Sequence, residues 1–279
     1  MLIKKCGKNG FLFKLDQKIK VSNMKVVILA GGFGTRISEE TNLIPKPMIK
    51  IGSKPILWHI MKTYSAQGFN EFIICCGYKS EAIKEFFANY AFNMSDVTID
   101  TETQQTVVHR KPLENWIVTL VETGEKSMTG GRLRRVSKYL RDEKAFFLTY
   151  GDGLSDINIT ETLNFHNTHG KWATIAAVQP PGRFGILNIH GSEVTSFAEK
   201  PSGAEGYING GFFVLSPRCL DLIPSDDTPW EKEPLEQLAQ TGNLMAFKHD
   251  GFWQSMDTVR DKTLLENLWE NGNAPWKTW

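Results

Sequence analysis

Charge of one dominant sign is missing from this chain. Its 279 residues carry 32 lysines and arginines against 31 aspartates and glutamates, a formal net charge of +1. Such a balance gives no bulk field to draw the protein to DNA, RNA or an anionic membrane, so no nucleic-acid or membrane partner is expected and any important cation must act locally. Cysteine is scarce: Cys6, Cys75, Cys76 and Cys219. Adjacent thiols in an apolar run are poor disulfide partners, and no pair has zinc-site spacing. Reduced, mostly buried thiols in a cytoplasmic protein are expected. No apolar run approaches the roughly 20 residues that span a bilayer. The first stretch, MLIKKCGKNGFLFKLDQKIKVSN, has lysines but neither a long apolar segment nor a small-residue cleavage site, and it does not read as a signal peptide. Residues 1–23 are expected to form an extension and residues 24–279 one domain. Also missing is an obvious Ser/His/Asp or Cys/His set. His166 and His169 have helical i, i+3 spacing and read as the end of a surface helix.

What is present is alternation. From Met24 onward, KVVILA reads as a strand buried on both faces, KPILWHIMKTYSAQG as a helix stopped at Gly68, EFIICCGY as a strand, and SEAIKEFFANYA as a helix capped by Ser80. AFFLTYGDG repeats the opening design of an apolar strand running into a glycine-flanked turn. ITETLNFHNTHG reads as a helix, ATIAAV and YINGGFFVLSP as strands, and FGILNIHGSEVTSFAEKP as a hairpin turning at Gly191. This order predicts an α/β fold with a Rossmann-like, mixed but mostly parallel sheet flanked by helices. The stretch from Asp96 to Glu122 alternates like half-exposed strands around a polar segment broken by Pro112, and predicts a small β excursion. After Asp221 a helical subregion is expected. GGRLRRVSKYLRD is locally basic, but its apolar spacing is that of a packed helix with a solvated face.

The stretch VVILAGGFGTRI aims a buried strand at Gly31, Gly32 and Gly34, followed by Arg36. Glycines at a strand-to-helix turn let the backbone approach a ligand, and successive N–H groups there form an anion nest. Ligands of open α/β sheets bind at the carboxyl ends of the strands, and a guanidinium suits phosphate. No Walker A pattern occurs. The dinucleotide fingerprint fails because Ile37 occupies the third glycine position and no acid ends the next strand. In IPKPM, two prolines restrict the reach of Lys46. Asp152 lies between two glycines at a strand end, and Asp257 follows over a hundred positions later. By themselves, Asp152 could cap a turn, Asp257 could cap the helix that follows, Arg132 could be an exposed helix charge, and Glu199 with Lys200 a surface ion pair.

LAGGFGTR followed by PKPM resembles the signature of the sugar-nucleotide pyrophosphorylases, nucleotidyltransferases with a GT-A-like Rossmann core. The resemblance extends through GDG, FAEKP and INGGFF almost to the last residue. FIICCGYK, MTGGRLRR, PPGRFG, WEKEPL and GFWQSMDT look closest to members that couple CTP to α-D-glucose 1-phosphate, giving CDP-glucose for the dideoxysugars of bacterial surface polysaccharides. Uridylyl or thymidylyl transfer on the same fold, and a catalytically silent sugar-nucleotide-binding subunit, remain alternatives. The resemblance implies that Leu29, Ala30, Gly31, Gly32, Phe33, Gly34 and Thr35 hold the nucleotide, with Arg36 on its β- and γ-phosphates. It implies that Lys46 bridges the incoming phosphate and the α-phosphate, that Ser127 and Arg132 lie at the cytosine, and that Gly151 packs against the nucleoside. Glu199, Lys200, Asn209 and Gly210 are implied for the sugar phosphate, Asp152 and Asp257 for Mg²⁺, and a homo-oligomer for the assembly, with the Asp96–Glu122 excursion as its contact.

Overall fold

The run that opens at Val26 forms strand β1 (Lys25–Leu29), and its side chains divide between two cores. Val26 and Ile28 enter one cluster, Val27 and Leu29 the other, as the two-residue period of a strand requires. In this computed structural model the described residues are 24–37, 41, 44–109, 114–180, 186–190, 193–198 and 206–279. Residues 1–23, the proposed extension, lie outside them.

In chain order, helix α1 (Ile56–Ser65) follows β1 and precedes strand β2 (Glu71–Cys76) and helix α2 (Ser80–Ala88). Strands β3 (Asp96–Asp100) and β4 (Gln105–His109) pair antiparallel, and β5 (Ile117–Glu122) comes next. Then come helix α3 (Thr129–Arg135), β6 (Phe146–Tyr150), the short β7 (Gly153–Ser155), helix α4 (Ile159–His169) and β8 (Ala173–Val178). An antiparallel pair, β9 (Ile186–His190) and β10 (Glu193–Ala198), precedes β11 (Ile208–Leu215). Helix α5 (Glu233–Gln240), β12 (Leu244–His249), the short β13 (Trp253–Ser255) and helix α6 (Val259–Glu270) complete the order.

Among the described residues, seven strands form the central sheet in the order β12-β8-β11-β6-β1-β2-β5. Only β11 runs antiparallel to its neighbours. Helices cover both faces: Ile56, Ile60 and Tyr64 of α1, Ile83 of α2 and Leu265 of α6 join the Val26 cluster, while Leu133 of α3 and Leu238 of α5 join the Val27 cluster. Each fully buried side chain of this size contributes about 1.5–3 kcal/mol. The mixed, mostly parallel sheet flanked by helices matches the expected class. No helix among the described residues is long and apolar enough to cross a membrane.

Local details differ from the sequence reading. The excursion ends at the β3–β4 hairpin, because WIVTLVE is an edge strand of the main sheet, paired parallel to β2. An edge strand with one covered face shows the same alternation as an exposed hairpin strand. After Asp221, LMAFKH forms the opposite edge of the sheet, so the expected helical subregion consists of two helices with strands between them. Ser80 does not cap α2. The residue before it, Lys79, takes a left-handed φ of 50° and makes no side-chain cap. His166 is buried at 6% exposure; its Nδ1 lies 2.9 Å from Thr174 Oγ1, which also meets His169 Nε2 at 2.7 Å. The Gly191 turn lies outside the described residues, though the two strands it would join are paired.

The chain's last residues are anchored on its own body. Trp276 is fully buried, its ring stacked between Phe252 and Trp269, and its Nε1 donates to His59 Nδ1 at 3.3 Å. His59 Nε2 therefore carries the proton and donates to the Ile51 carbonyl at 3.0 Å. Burial pushes the His59 pKa down to about 4, and burial does the same to His166. The unfolded chain takes up protons near pH 6.5 and the folded chain does not until about pH 4. Stability is therefore intact above pH 6.5 and is lost as pH falls towards 4, by about 2 kcal/mol per histidine at pH 5. Denaturant unfolding at pH 7.5 and pH 5 should show this fall, and His59→Gln should roughly halve it, leaving the share of His166. Equal midpoints at the two pH values would refute the assignment.

Candidate active site

At the carboxyl end of β1 the chain turns through Ala30–Gly34, sewn to both neighbouring strands. Ala30 N donates to Cys75 O (3.1 Å), Tyr78 N to Gly31 O (3.1 Å), and Gly151 N to Leu29 O (3.0 Å). The N–H groups of Gly31, Gly32, Phe33 and Gly34 donate to no described residue, which leaves a row of donors at the strand ends. Gly34 has a φ of 64°, and a Cβ there would stand 2.7 Å from Thr41 Cγ2 and 3.1 Å from Lys46 Cβ. Both the conformation and the space demand glycine. Gly151 is pressed from the other side: its Cβ would lie 2.9 Å from Leu29 O.

Lys46 opens a single 3-10 turn behind Pro45, and its residue is only 8% exposed. Its Nζ lies 2.6 Å from Asp152 Oδ2 and 2.8 Å from Asp257 Oδ1. Asp257 Oδ2 in turn sits 3.2 Å from Arg36 Nη1 and accepts from Ser255 Oγ at 3.1 Å. The four groups sequence reasoning singled out as chemical thus form one cluster of two cations and two carboxylates. Antiparallel pairing of β7 with β13 brings them together, with Gly153 opposite Ser255 and Met256 N donating to Asp152 O. Burial opposes the Lys46 charge, but Asp152 and Asp257 outweigh it and hold the ammonium above its usual pKa. Burial likewise opposes ionisation of Asp257, and Lys46, Arg36 and Ser255 outweigh it and hold the carboxyl below the usual range.

Asp257 is not a helix cap. Thr258 caps α6, with Asp261 closing a capping box. The Asp257 carboxylate is therefore left to the cluster. Two carboxylates aimed at one buried cation form a hard-oxygen pair that suits Mg²⁺. Among the described residues no group of three or more histidine, cysteine and acidic side chains gathers to hold a metal. Water and substrate phosphates would have to complete the coordination, as they commonly do for Mg²⁺.

The other sequence-predicted residues fall around this cluster. Arg132 is not an exposed helix charge. It is 4% exposed and spends its guanidinium on Thr123 Oγ1 and the carbonyls of Gly124 and Glu125, at 2.8–3.1 Å. It fills the space behind Gly31 and Gly77, where a Cβ would collide with it. Ser127 is buried beside Gly124, its Oγ 2.9 Å from where a Cβ would stand. Asn209 bonds Tyr150 OH (3.2 Å) and receives Gly211 N (2.8 Å), opposite an irregularity in the β8–β11 pairing. Gly210 is buried against Val178 and accepts Trp253 Nε1 through its carbonyl at 2.7 Å. Glu199 and Lys200 lie outside the described residues. Sequence reasoning missed Tyr150, Thr129 and Glu231, which join Asn209 in one chain of hydrogen bonds. The position of Tyr150 immediately before GDG was the available signal.

Residues 25–261 match the family described as Nucleotidyl transferase. A glucose-1-phosphate cytidylyltransferase of Salmonella typhimurium is 62% identical over 92% of this chain and 100% of its own length. A probable glucose-1-phosphate cytidylyltransferase of Bacillus subtilis is 45% identical, again over 92% of this chain and 100% of its own. Among solved structures, HddC from Yersinia pseudotuberculosis is similar with a TM-score of 0.66 and 25% identity, over 88% of this chain and 99% of that one.

Proposed function

The chain belongs to the nucleotidyl transferase family, and we propose that it transfers a cytidylyl group from CTP to α-D-glucose 1-phosphate, giving CDP-glucose and pyrophosphate. The observation that carries this reading is the 62% identity across the whole length of a glucose-1-phosphate cytidylyltransferase. The cluster of Lys46, Arg36, Asp152 and Asp257 supports it over a silent binding subunit, which has no need of that charge set.

In the reaction a sugar-phosphate oxygen attacks the α-phosphorus of CTP in line. The new P–O bond forms as the bond to the β-phosphate bridging oxygen breaks, and the electron pair leaves with pyrophosphate. A phosphate monoester has a second pKa of about 6, so the nucleophile is already dianionic at neutral pH and needs no general base. The protein's work is to hold two mutually repelling anions and to meet the charge that develops. The N–H row of Gly31–Gly34 cradles the triphosphate. Arg36, three-quarters exposed at its side chain, swings from Asp257 to the β- and γ-phosphates. Lys46, held on a proline-stiffened turn, bridges the attacking and α-phosphates. Asp152 and Asp257 would hold Mg²⁺, which when bound neutralises phosphate charge. Arg132 fixes residues 123–125 behind Gly31 and so shapes the base pocket beside Ser127. Gly151 lets the strand end press close to the nucleoside. Glu199, Lys200, Asn209 and Gly210 complete the sugar-phosphate subsite.

Pyrophosphate release from glucose 1-phosphate with each of CTP, UTP, dTTP and ATP tests the reading. Release with CTP alone is expected. Release with UTP or dTTP instead would assign another base, and release with none would favour a binding subunit. The pH profile carries a further prediction. Lys46 and Asp257 keep their charges across the neutral range, since one pKa is held up and the other down. The kcat/KM for glucose 1-phosphate should therefore fall about tenfold per unit only below pH 6, where the nucleophile itself takes a proton. An acid limb well above pH 7 would point to an enzyme base instead.

A further inference from the structure

Tyr150, Thr129 and Asn209 come from three different elements and Glu231 from the turn before α5, and they meet beside the catalytic aspartate. Tyr150 ends β6, two residues before Asp152. Its hydroxyl donates to Glu231 Oε1 at 2.6 Å and accepts from Asn209 Nδ2 at 3.2 Å. Glu231 Oε2 accepts from Thr129 Oγ1 at 2.5 Å, and that same oxygen of Thr129 receives Trp230 N at 2.8 Å. The ring is fixed as well. It stands edge-on to Phe213 and fills the space beside Gly211, whose φ of 79° and lack of a Cβ admit it.

Two features distinguish this network from a simple latch. First, Glu231 is exposed, while Tyr150 and Thr129, which orient it, are half-buried and each held by a further hydrogen bond. A carboxylate has about four acceptor positions, and the described residues use only two of them, through Tyr150 and Thr129. Second, the Tyr150 hydroxyl accepts from Asn209 Nδ2, which leaves its own hydrogen to be donated to Glu231. The carboxylate is thus aimed and, among the described residues, half-unsatisfied, a short hydrogen-bonded step from Asn209. An acceptor of this kind reads hydroxyl groups and rejects analogues that lack them.

We propose that Glu231 is a specificity-determining residue that accepts a sugar hydroxyl of the hexose 1-phosphate, and that Tyr150 and Thr129 are the positioning residues that aim its carboxylate. The inference rests on the cytidylyl-transfer reading and extends it to the recognition of the sugar ring. Glu231→Gln keeps an acceptor oxygen for Tyr150 but loses the charge that strengthens acceptance from a substrate hydroxyl. Tyr150→Phe keeps the ring and removes the aiming bond.

The test is steady-state kinetics with glucose 1-phosphate and its 2-, 3-, 4- and 6-deoxy analogues. Glu231→Gln should raise KM for glucose 1-phosphate about 10- to 100-fold, as expected for a hydrogen bond to a charged group. KM for CTP should stay within about twofold, and the penalty should vanish with one deoxy analogue, the one lacking the hydroxyl that Glu231 holds. Tyr150→Phe should show the same analogue dependence with a smaller penalty. A latch alone would lower the melting midpoint and leave discrimination among the analogues untouched. That result, or an equal penalty with all of them, overturns the inference while wild-type turnover of CTP and glucose 1-phosphate leaves the parent reading standing. Wild-type enzyme that turns over neither would overturn both.

Discussion

Lys46→Met should slow the single-turnover step of cytidylyl transfer about 10²- to 10³-fold, the loss typical of one preorganised charge at a reacting oxyanion. The ammonium is buried and already bonded to Asp152 and Asp257, so it needs little rearrangement to meet charge that develops between two phosphates. Its effect should therefore fall on the chemical step more than on KM for CTP. The same substitution should change the carboxylates. Without the ammonium, Asp257 loses a partner that holds its carboxyl down against burial, so it should take up its proton at higher pH than in wild type. A carboxyl whose folded pKa is raised costs stability as pH rises through that pKa. The variant should accordingly melt higher at pH 5 than its stability at pH 8 would suggest from wild type. Mg²⁺ should raise its melting midpoint at pH 8 by more than it raises that of wild type, because the ion then fills the place of a missing countercharge. An unchanged single-turnover rate would reject the catalytic role of Lys46.

The elements carrying these groups were legible in different degrees. The strand at Val26 and the loop after it could be read directly, because a doubly buried strand is continuously apolar and the loop's glycines have few other uses. The need for glycine at Gly34 is now physical, since Lys46 and Thr41 leave no room for a Cβ. The two sheet edges were harder. WIVTLVE and LMAFKH are half-covered strands, and their patterns do not say which neighbour they pair with. The meeting of Lys46 with Asp152 and Asp257 spans 106 and 211 positions of sequence. It depends on the three-residue pairing of β7 with β13, which is too short to leave a periodic signal. The burial of Arg132 was hidden in another way. Its neighbours in GGRLRR are basic and its burial follows from the gaps at Gly31 and Gly77, which only the folded chain reveals. Tyr150 and Glu231 belong to no recurring spacing at all, and their relation appears only as a hydrogen bond across 81 positions.

Asp257→Asn should have the other large effect: turnover at saturating Mg²⁺ should drop at least about 10³-fold, and Asp152→Asn should behave alike. The fold gives a reason to expect this without general damage. Helix α6 is capped by Thr258 and Asp261, and only the backbone N–H of Asp257 takes part, donating to Asp261 Oδ2 at 3.1 Å. Asparagine preserves that bond and keeps one oxygen that can accept from Lys46 or Ser255. What it removes is the negative charge that balances Lys46 and Arg36. With three charges left in place of four, the site becomes net positive and should bind a divalent cation poorly while still attracting the triphosphate. KM for CTP should therefore rise little or even fall, and the Mg²⁺ concentration needed for half-maximal rate should climb. Circular dichroism and the melting midpoint should remain close to wild type, because the capping box and the packing of Leu265 are intact. Normal turnover at ordinary Mg²⁺ in the folded Asp257→Asn enzyme would remove Asp257 from the metal site and leave it as a partner that orients Lys46 and Arg36.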